Sequence, residues 1–576
     1  MLSDLFYNFK FFLNKKLKIR LLIIFILHFI NTLLDIISVA SIPAILIFFF
    51  NKNEIQVEIN YINDILNYFL KIFDGTPITL IFSFIILFFI LKTLLGIVYY
   101  ILFTKFGFDL EVDISKKVVE KKLGDTYFSY IQTPYSSFLN LMTYIITEFL
   151  QNNFLISFQI LINLLTILTF TIFLFLINPI TTISIIGLGI VGFIFYYLIT
   201  KKKFIFFGKY KLILVEQTLS KIKDIFYSFK EIKIYGKEDI FIDKFTKIKK
   251  AWALNKIKFQ VISNLPKLFL ELILVAIIVS IFYFSYKLNL KFETTLINIT
   301  VFIISAQRLF PRIIVIIRNY SKINYSKKAQ RILVKELEKE IPPKQKMSKI
   351  TFKDKIKLKN INYGYTTKNI ILENINLEIK KGSFIGIKGE SGEGKTTLIN
   401  ILMGLLKPLN GDILLDNKNI KNNLKGYMNL ISYIPQKIYI LHDTIKNNLV
   451  FDDDQFNINE SDIDNVLDTV RLSNLKNDHI KGLETIIADT TFKASEGETQ
   501  RFGIARALLK KKEILILDEI TSSLDEINEN NIMNIIKNLK GSTTIIMISH
   551  KNSSLKFCDQ VYTLQNKKLS EFQLSN

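Results

Sequence analysis

The chain has 576 residues, half of them hydrophobic, with 50 Phe and a formal charge of +23 from 74 Lys and Arg against 51 Asp and Glu. One cysteine, Cys558, excludes an internal disulfide and a multi-cysteine metal site, and four histidines far apart in sequence give no zinc-ligand spacing. The positive charge does not point to nucleic acid, because the Lys clusters fall between apolar runs, as they do beside a membrane.

Residues 1–334 read as a membrane domain. Residues 1–20 lack the apolar core and small-residue cleavage site of a removable signal peptide. Six apolar stretches reach the length of about 20 residues that a bilayer span needs. They lie near 21–50, 78–104, 151–177, 179–200, 260–286 and 294–318. The first is long enough to tilt or to project beyond the membrane. Pro179 breaks the chain between the third and fourth and predicts a tight helical hairpin.

Loop charges orient these spans. Lys10, Lys15, Lys16, Lys18 and Arg20 precede the first. The next loop, 51–77, sets Lys52 and Lys71 against Glu54, Glu58, Asp64 and Asp74. Segments 105–150 and 201–258 are rich in Lys again, which places both termini in the cytoplasm of a multi-pass protein of the cytoplasmic membrane. Leu110, Val112, Ile114 and Val118 suggest that the second span continues as a helix beyond the membrane.

The spans hold a few ionisable residues: Asp35, Lys92, Lys267 with Glu271, and Arg308 with Arg312. Lys267 and Glu271, four apart, can pair with each other. Arg308 and Arg312 share a helix face around Pro311 and need acidic partners, water or an anionic substrate. Pairing with Asp35 or snorkelling toward the cytoplasm is the simpler reading; a phosphate-bearing substrate is the functional one.

Residues 335–355, charged and carrying Pro342 and Pro343, read as a linker. Residues 356–576 read as an α/β domain. Its apolar runs 384–387, 514–517 and 544–548 suit strands buried on both faces of a mostly parallel sheet.

The run Gly389-Glu390-Ser391-Gly392-Glu393-Gly394-Lys395-Thr396, followed by Thr397, matches G-x-x-x-x-G-K-[ST] between a strand and a helix. Its glycines turn backbone N–H groups toward phosphate oxygens, and the helix start adds partial positive charge. Lys395 would reach the outer phosphates of ATP and Thr396 a Mg²⁺ ion. Asp518 and Glu519 end an apolar strand downstream. In this setting Asp518 suits Mg²⁺ coordination, and Glu519 suits polarisation of the attacking water.

With these motifs, residues 355–576 resemble the ATP-binding cassette (ABC) proteins. The resemblance implies a stack of Tyr365 on adenine and a contact of Gln436 with Mg²⁺. It implies that Ser522, Ser523, Leu524 and Asp525 cross to a partner subunit, and that His550 senses the γ-phosphate. It gives His28, His442 and His479 no role. Where the family signature reads Leu-Ser-Gly-Gly-Gln, this chain reads Ala494-Ser495-Glu496-Gly497-Glu498. Ser495 and Gly497 keep the family's γ-phosphate contacts, and Ser495 with Glu498 fits a capping box. Glu496 would repel phosphates, so a slower ATP site is expected.

Six spans followed by the ATPase resemble an ABC exporter half, which implies a dimer. A homodimer is the simplest form, with a heterodimer the alternative. Within the exporters the similarity extends to bacterial lipid-linked oligosaccharide flippases, through Arg308-Leu309-Phe310-Pro311 and Phe229-Lys230-Glu231-Ile232-Lys233. That implies membrane lipid and a polyprenyl-pyrophosphate glycan or related glycolipid as partners, and no nucleic acid. Export of another lipid, a peptide or a drug on the same chassis is the alternative. A soluble ABC ATPase of translation or DNA repair is disfavoured by the spans.

Overall fold

The computed structural model describes residues 12–50, 77–177, 179–287, 292–340, 348–366, 369–451, 458–477, 481–487, 495–521 and 526–572. Two compact units share the chain. The first holds residues 1–125 and 131–341; the second holds 126–130 and 342–576.

The first unit is helical because its apolar runs are long and interrupted only at their ends. Helix α1 spans Lys15–Phe50, and the Asn14 side chain caps it by accepting from the Leu17 N–H at 2.9 Å. Helix α2 spans Pro77–Gly124, with Pro77 at its first position, where a missing N–H costs nothing. Helices α3 (Leu155–Ile177) and α4 (Pro179–Tyr227) follow, and Asn178, beside the expected break, lies outside the described residues. Helix α5 spans Glu238–Lys287, with Glu238 and Asp239 in its first turn, and α6 spans Phe292–Glu338.

Helices α2, α4, α5 and α6, of 47–50 residues, are about 70–75 Å long at 1.5 Å per residue, more than twice a bilayer's hydrocarbon thickness. Among the described residues, three segments are long and apolar enough to cross a membrane: Lys15–Ile37, Ile85–Gly124 and Tyr135–Phe175. The expected spans near 179–200, 260–286 and 294–318 fall on α4, α5 and α6, where many side chains lie outside the described residues. So do nearly all of loop 51–77 and the prolines Pro342 and Pro343.

Helices α1 and α2 run antiparallel. Arg20 meets Asp109, His28 lies beside Tyr99, and Asp35 meets Lys92, so positions rise along one helix as they fall along the other. The extension of α2 beyond residue 104 is packed by a stripe. Leu110, Ile114 and Val118 are fully buried, each four residues after the last. Val112 does not belong to that face and is 67% exposed, because two residues turn the helix through about 200°. Between α2 and α3 the chain passes through short helices and two π-helical turns, Leu141–Ile145 and Leu150–Phe154. Both pack Leu, Ile and Phe side chains into the same cluster as Phe106, Leu110 and Leu333. Helices α4 and α6 touch through backbone at Gly208, where an added Cβ would lie 1.9 Å from the Tyr325 carbonyl oxygen.

The second unit carries two larger sheets. Strands β1 (Lys355–Thr366) and β2 (Asn369–Lys380) form an antiparallel pair, and β4 (Asn410–Leu415) pairs with the other side of β1. The second sheet contains β3 (Phe384–Lys388), β5 (Ile431–Ile434), β6 (Ile514–Asp518), β7 (Thr544–Ile548), β8 (Gln560–Gln565) and β9 (Lys568–Phe572). Its order is β9-β8-β3-β7-β6-β5, parallel except for the β8–β9 hairpin.

Every residue of β6 and β7 is buried, as their unbroken apolar runs predict. One Ile→Ala change at Ile516 should therefore cost about 2–5 kcal/mol. The parallel register puts the C-terminal ends of β3, β7, β6 and β5 side by side, which is where parallel α/β sheets bind ligands.

Candidate active site

Each of those four strand ends delivers one of the motifs. The loop after β3 turns through Gly392 and Gly394, at φ 92° and 99°, a region that favours glycine. It then enters helix α7, Lys395–Leu402. Gly394 stands at the helix start, and no side chain caps it, so the N-terminal N–H groups face the loop mouth. The side chain of Lys395 is 8% exposed. Its Nζ donates to the carbonyl oxygens of Gly389 at 2.7 Å and Glu390 at 3.0 Å, and lies 3.6 Å from Glu519 Oε1. Glu390, Ser391, Gly392 and Thr396 are exposed, Gly389 and Glu393 are half-buried, and Thr397 is buried.

Asp518 is the last residue of β6 and is buried. Burial pushes its carboxyl above the ordinary value, and the neighbouring Glu519 pushes the same way; a hydrogen bond from Tyr433 and the charge of Lys395 oppose them. The Tyr433 hydroxyl donates to Asp518 Oδ2 at 3.2 Å. Glu519 follows with φ 51°, and its N–H donates to the Ile548 carbonyl at 3.1 Å. Gln436, two residues past β5, donates from Nε2 to Glu519 Oε2 at 3.0 Å. Lys395, Gln436 and Glu519 thus form one connected polar group, with Asp518, held by Tyr433, next to Glu519 in the chain.

His550 is exposed two residues past β7, which lies between β3 and β6. Beside it Lys551 is anchored to the Thr521 carbonyl at 2.8 Å and to Glu529 at 3.3 Å. Tyr365 is half-buried, its ring 6.4 Å from that of Phe128 and inclined by 17°. Phe128 belongs to the segment 126–130, which is part of this unit. Neighbouring Tyr127 lies beside Asn400 of α7. The sequence reading missed Tyr433, Tyr127 and Phe128; no local pattern marks them, because their roles arise from the approach of distant segments.

Ser495 caps helix α8 (Glu496–Leu509). Its Oγ accepts from the Glu498 N–H at 3.2 Å, and its own N–H donates to Glu498 Oε2 at 2.7 Å. The expected capping box is therefore closed, and the Glu498 carboxylate is occupied by it. Gly497 lies in the first turn. Ala494, the Glu496 side chain, His479, and Ser522 with Ser523, Leu524 and Asp525 lie outside the described residues.

In the first unit the Arg308 side chain also lies outside the described residues. Arg312 donates to Asn163 Oδ1 at 3.2 Å and sits 3.9 Å from Asp35, which meets Lys92 at 2.5 Å. Lys267 and Glu271 approach to 3.8 Å. His28 is buried against Thr166 at 3.1 Å.

Residues 372–522 match the family described as ABC transporter, and residues 21–311 match the ABC transporter transmembrane region. The second match alone spans half of the chain, so this protein belongs to the ABC transporter family. An export ATP-binding/permease protein of Rickettsia typhi is 35% identical over 217 residues, 37% of this chain and 37% of its own length. An ATP-dependent lipid A-core flippase of Wigglesworthia glossinidia brevipalpis is 28% identical over 358 residues, 61% of either chain. The chain thus aligns with less than two thirds of these relatives' length. A bacterial Atm1-family ABC exporter, solved with ATP bound, superposes with a TM-score of 0.78 over 97% of this chain and 94% of its own, at 17% identity. That likeness establishes the fold: an exporter-type helical membrane region followed by an α/β ABC ATPase domain.

Proposed function

We propose that this protein hydrolyses ATP to drive export, or leaflet-to-leaflet flipping, of an anionic glycolipid across the cytoplasmic membrane. The observation that carries the hydrolytic part is the connected group Lys395, Glu519 and Gln436 beside Asp518, at adjacent strand ends and facing an uncapped helix start. The loop 389–396 cradles the phosphates, and Tyr365 offers a ring to adenine. Lys395, now satisfied by two carbonyls, turns to the outer phosphates.

The oxygen donors fit Mg²⁺: a buried carboxylate at Asp518, raised by burial, regains favourable charge beside a cation. Thr396, Gln436 and Asp518 would hold the ion, which neutralises phosphate charge. Glu519 accepts a proton from the attacking water, and Gln436 orients Glu519. His550 contacts the γ-phosphate.

One chain carries one phosphate loop and one signature, so two copies complete two sites. Ser495 and Gly497 of each copy face the other's nucleotide, and Ser522, Ser523, Leu524 and Asp525 lie at that junction. A homodimer is the form proposed, with the ATPase domain and both termini in the cytoplasm.

The cargo we favour is a polyprenyl-pyrophosphate-linked oligosaccharide, whose charge suits Arg308 and Arg312. A lipid A-type glycolipid is the second reading, supported by relatives named lipid A-core flippases. The purified protein tests both. Turnover of ATP no greater than that of Glu519→Gln refutes hydrolysis. Stimulation by a polyprenyl-pyrophosphate glycan but not by lipid A, or the reverse, decides the cargo.

A further inference from the structure

Helices α1 and α2 enclose a groove of about 220 Å³ that none of the chemistry above uses. Arg20, Ile23 and Ile24 line it from α1; Leu102, Lys105 and Phe106 line it from α2. Each set has the spacing of one helix face. Ile24 and Phe106 are buried and form the floor, while Ile23 and Leu102 are exposed walls. Arg20 and Lys105 mark one end of the groove, at the cytoplasmic ends of two spans in the proposed orientation. Arg20 meets Asp109 at 2.6 Å, so the two cations and one anion leave one unbalanced positive charge.

We propose that this groove binds an anionic glycerophospholipid of the inner leaflet, with its acyl chain along Ile23, Ile24, Leu102 and Phe106 and its phosphate at Arg20 and Lys105. Exposure and charge favour lipid. Leu94, Val98, Ile101 and Leu102 of α2 are exposed apolar side chains, so an acyl chain can reach this face. The chain is strongly cationic at +23, so a second copy supplies little negative charge to the basic end, whereas a phosphodiester supplies it directly.

The test uses the full-length protein in vesicles. Trp252, the one tryptophan, is replaced by Phe, and Leu102→Trp places a reporter on the groove wall. Leu94→Trp, about 12 Å further along α2, is the control. Vesicles contain brominated phosphatidylglycerol or, at the same mole fraction, brominated phosphatidylcholine. At residue 102 the anionic lipid should be enriched roughly fivefold in the contacting shell, the effect of one basic residue near a membrane surface. At residue 94 the two lipids should quench alike.

Arg20→Gln with Lys105→Gln should remove the preference, and Lys105→Gln alone should weaken it while leaving the Arg20–Asp109 pair intact. Arg20→Lys with Lys105→Arg should keep it. Equal quenching by the two lipids at residue 102 overturns the proposal, as does the same preference at residue 94. Absence of quenching there shows the face covered by protein and overturns it too. Relief of quenching by inorganic phosphate would leave a simple anion site and no lipid site.

Discussion

Gln436 donates a hydrogen bond to Glu519 at 3.0 Å, joining the end of β5 to the end of β6 across the mouth of the phosphate loop. The amide can hold the carboxylate without competing for a proton, because at this contact it acts only as a donor.

Glu519→Gln should therefore lower steady-state ATP turnover by about 10² or more, the scale of a positioned general base. Nucleotide binding, read by thermal protection, should persist. Gln436→Ala should lower turnover less and raise the Mg²⁺ concentration at half-maximal rate. An unchanged metal requirement would count against a role for Gln436 at the ion.

Lys395→Met should abolish nucleotide binding itself, measured by equilibrium binding of a fluorescent ATP analogue. The buried ammonium is held by two carbonyls and one carboxylate, and Met keeps its length without its charge. Binding within a factor of two of wild type would remove Lys395 from the site.

Ser495→Ala should destabilise the start of α8 by about 1 kcal/mol, the usual worth of a capping side chain. Glu498→Gln should leave stability nearly unchanged, because Gln also closes the box. Hydrogen exchange at residues 498 and 499 checks both. Equal protection in wild type and Ser495→Ala would show the cap to be idle.

Asp35→Asn and Lys92→Gln, alone and together, should show coupling of about 1–3 kcal/mol in a double-mutant cycle on unfolding. The pair meets at 2.5 Å with both side chains largely buried. Strict additivity would mean that neither charge depends on the other.

Glu529 gives a pH prediction outside the membrane. Burial pushes its carboxyl up, but hydrogen bonds from Ser554, Ser553 and Lys551, with the Lys551 charge, outweigh that and hold it below its ordinary value. A depressed pKa adds stability above the unfolded-state value, near pH 4.3, that is lost as pH falls through the lower folded value. Melting temperature between pH 6 and pH 3 should fall less steeply in Glu529→Gln than in wild type. Parallel curves would exclude Glu529 from acid sensitivity.

Much of the proposed hydrolytic site was legible because it sits on local signals. The strand runs ending near Ile387, Leu517 and Ile548 and the loop closing on Lys395 each occupy a few consecutive residues. Their adjacency in one sheet follows from parallel topology, which short buried strands imply. Tyr433 could not be read as a partner of Asp518, since 85 residues separate them. The same holds for Lys211 and Glu148, a largely buried pair at 2.9 Å between α4 and a short helix before α3. The helical continuation read from Leu110, Val112, Ile114 and Val118 is present in α2, but burial falls on Leu110, Ile114 and Val118 while Val112 has the same composition on another face.

The hydrogen bond from the Glu519 N–H to the Ile548 carbonyl ties that left-handed residue to the very end of β7. Two residues further along, the same strand releases His550. The proposed proton acceptor and the proposed phosphate sensor thus share a mechanical foundation: a shift of the β7 end would re-aim both. Small errors in one placement are carried to the other, so selection on either group constrains the short stretch from Ile548 to His550 as one part.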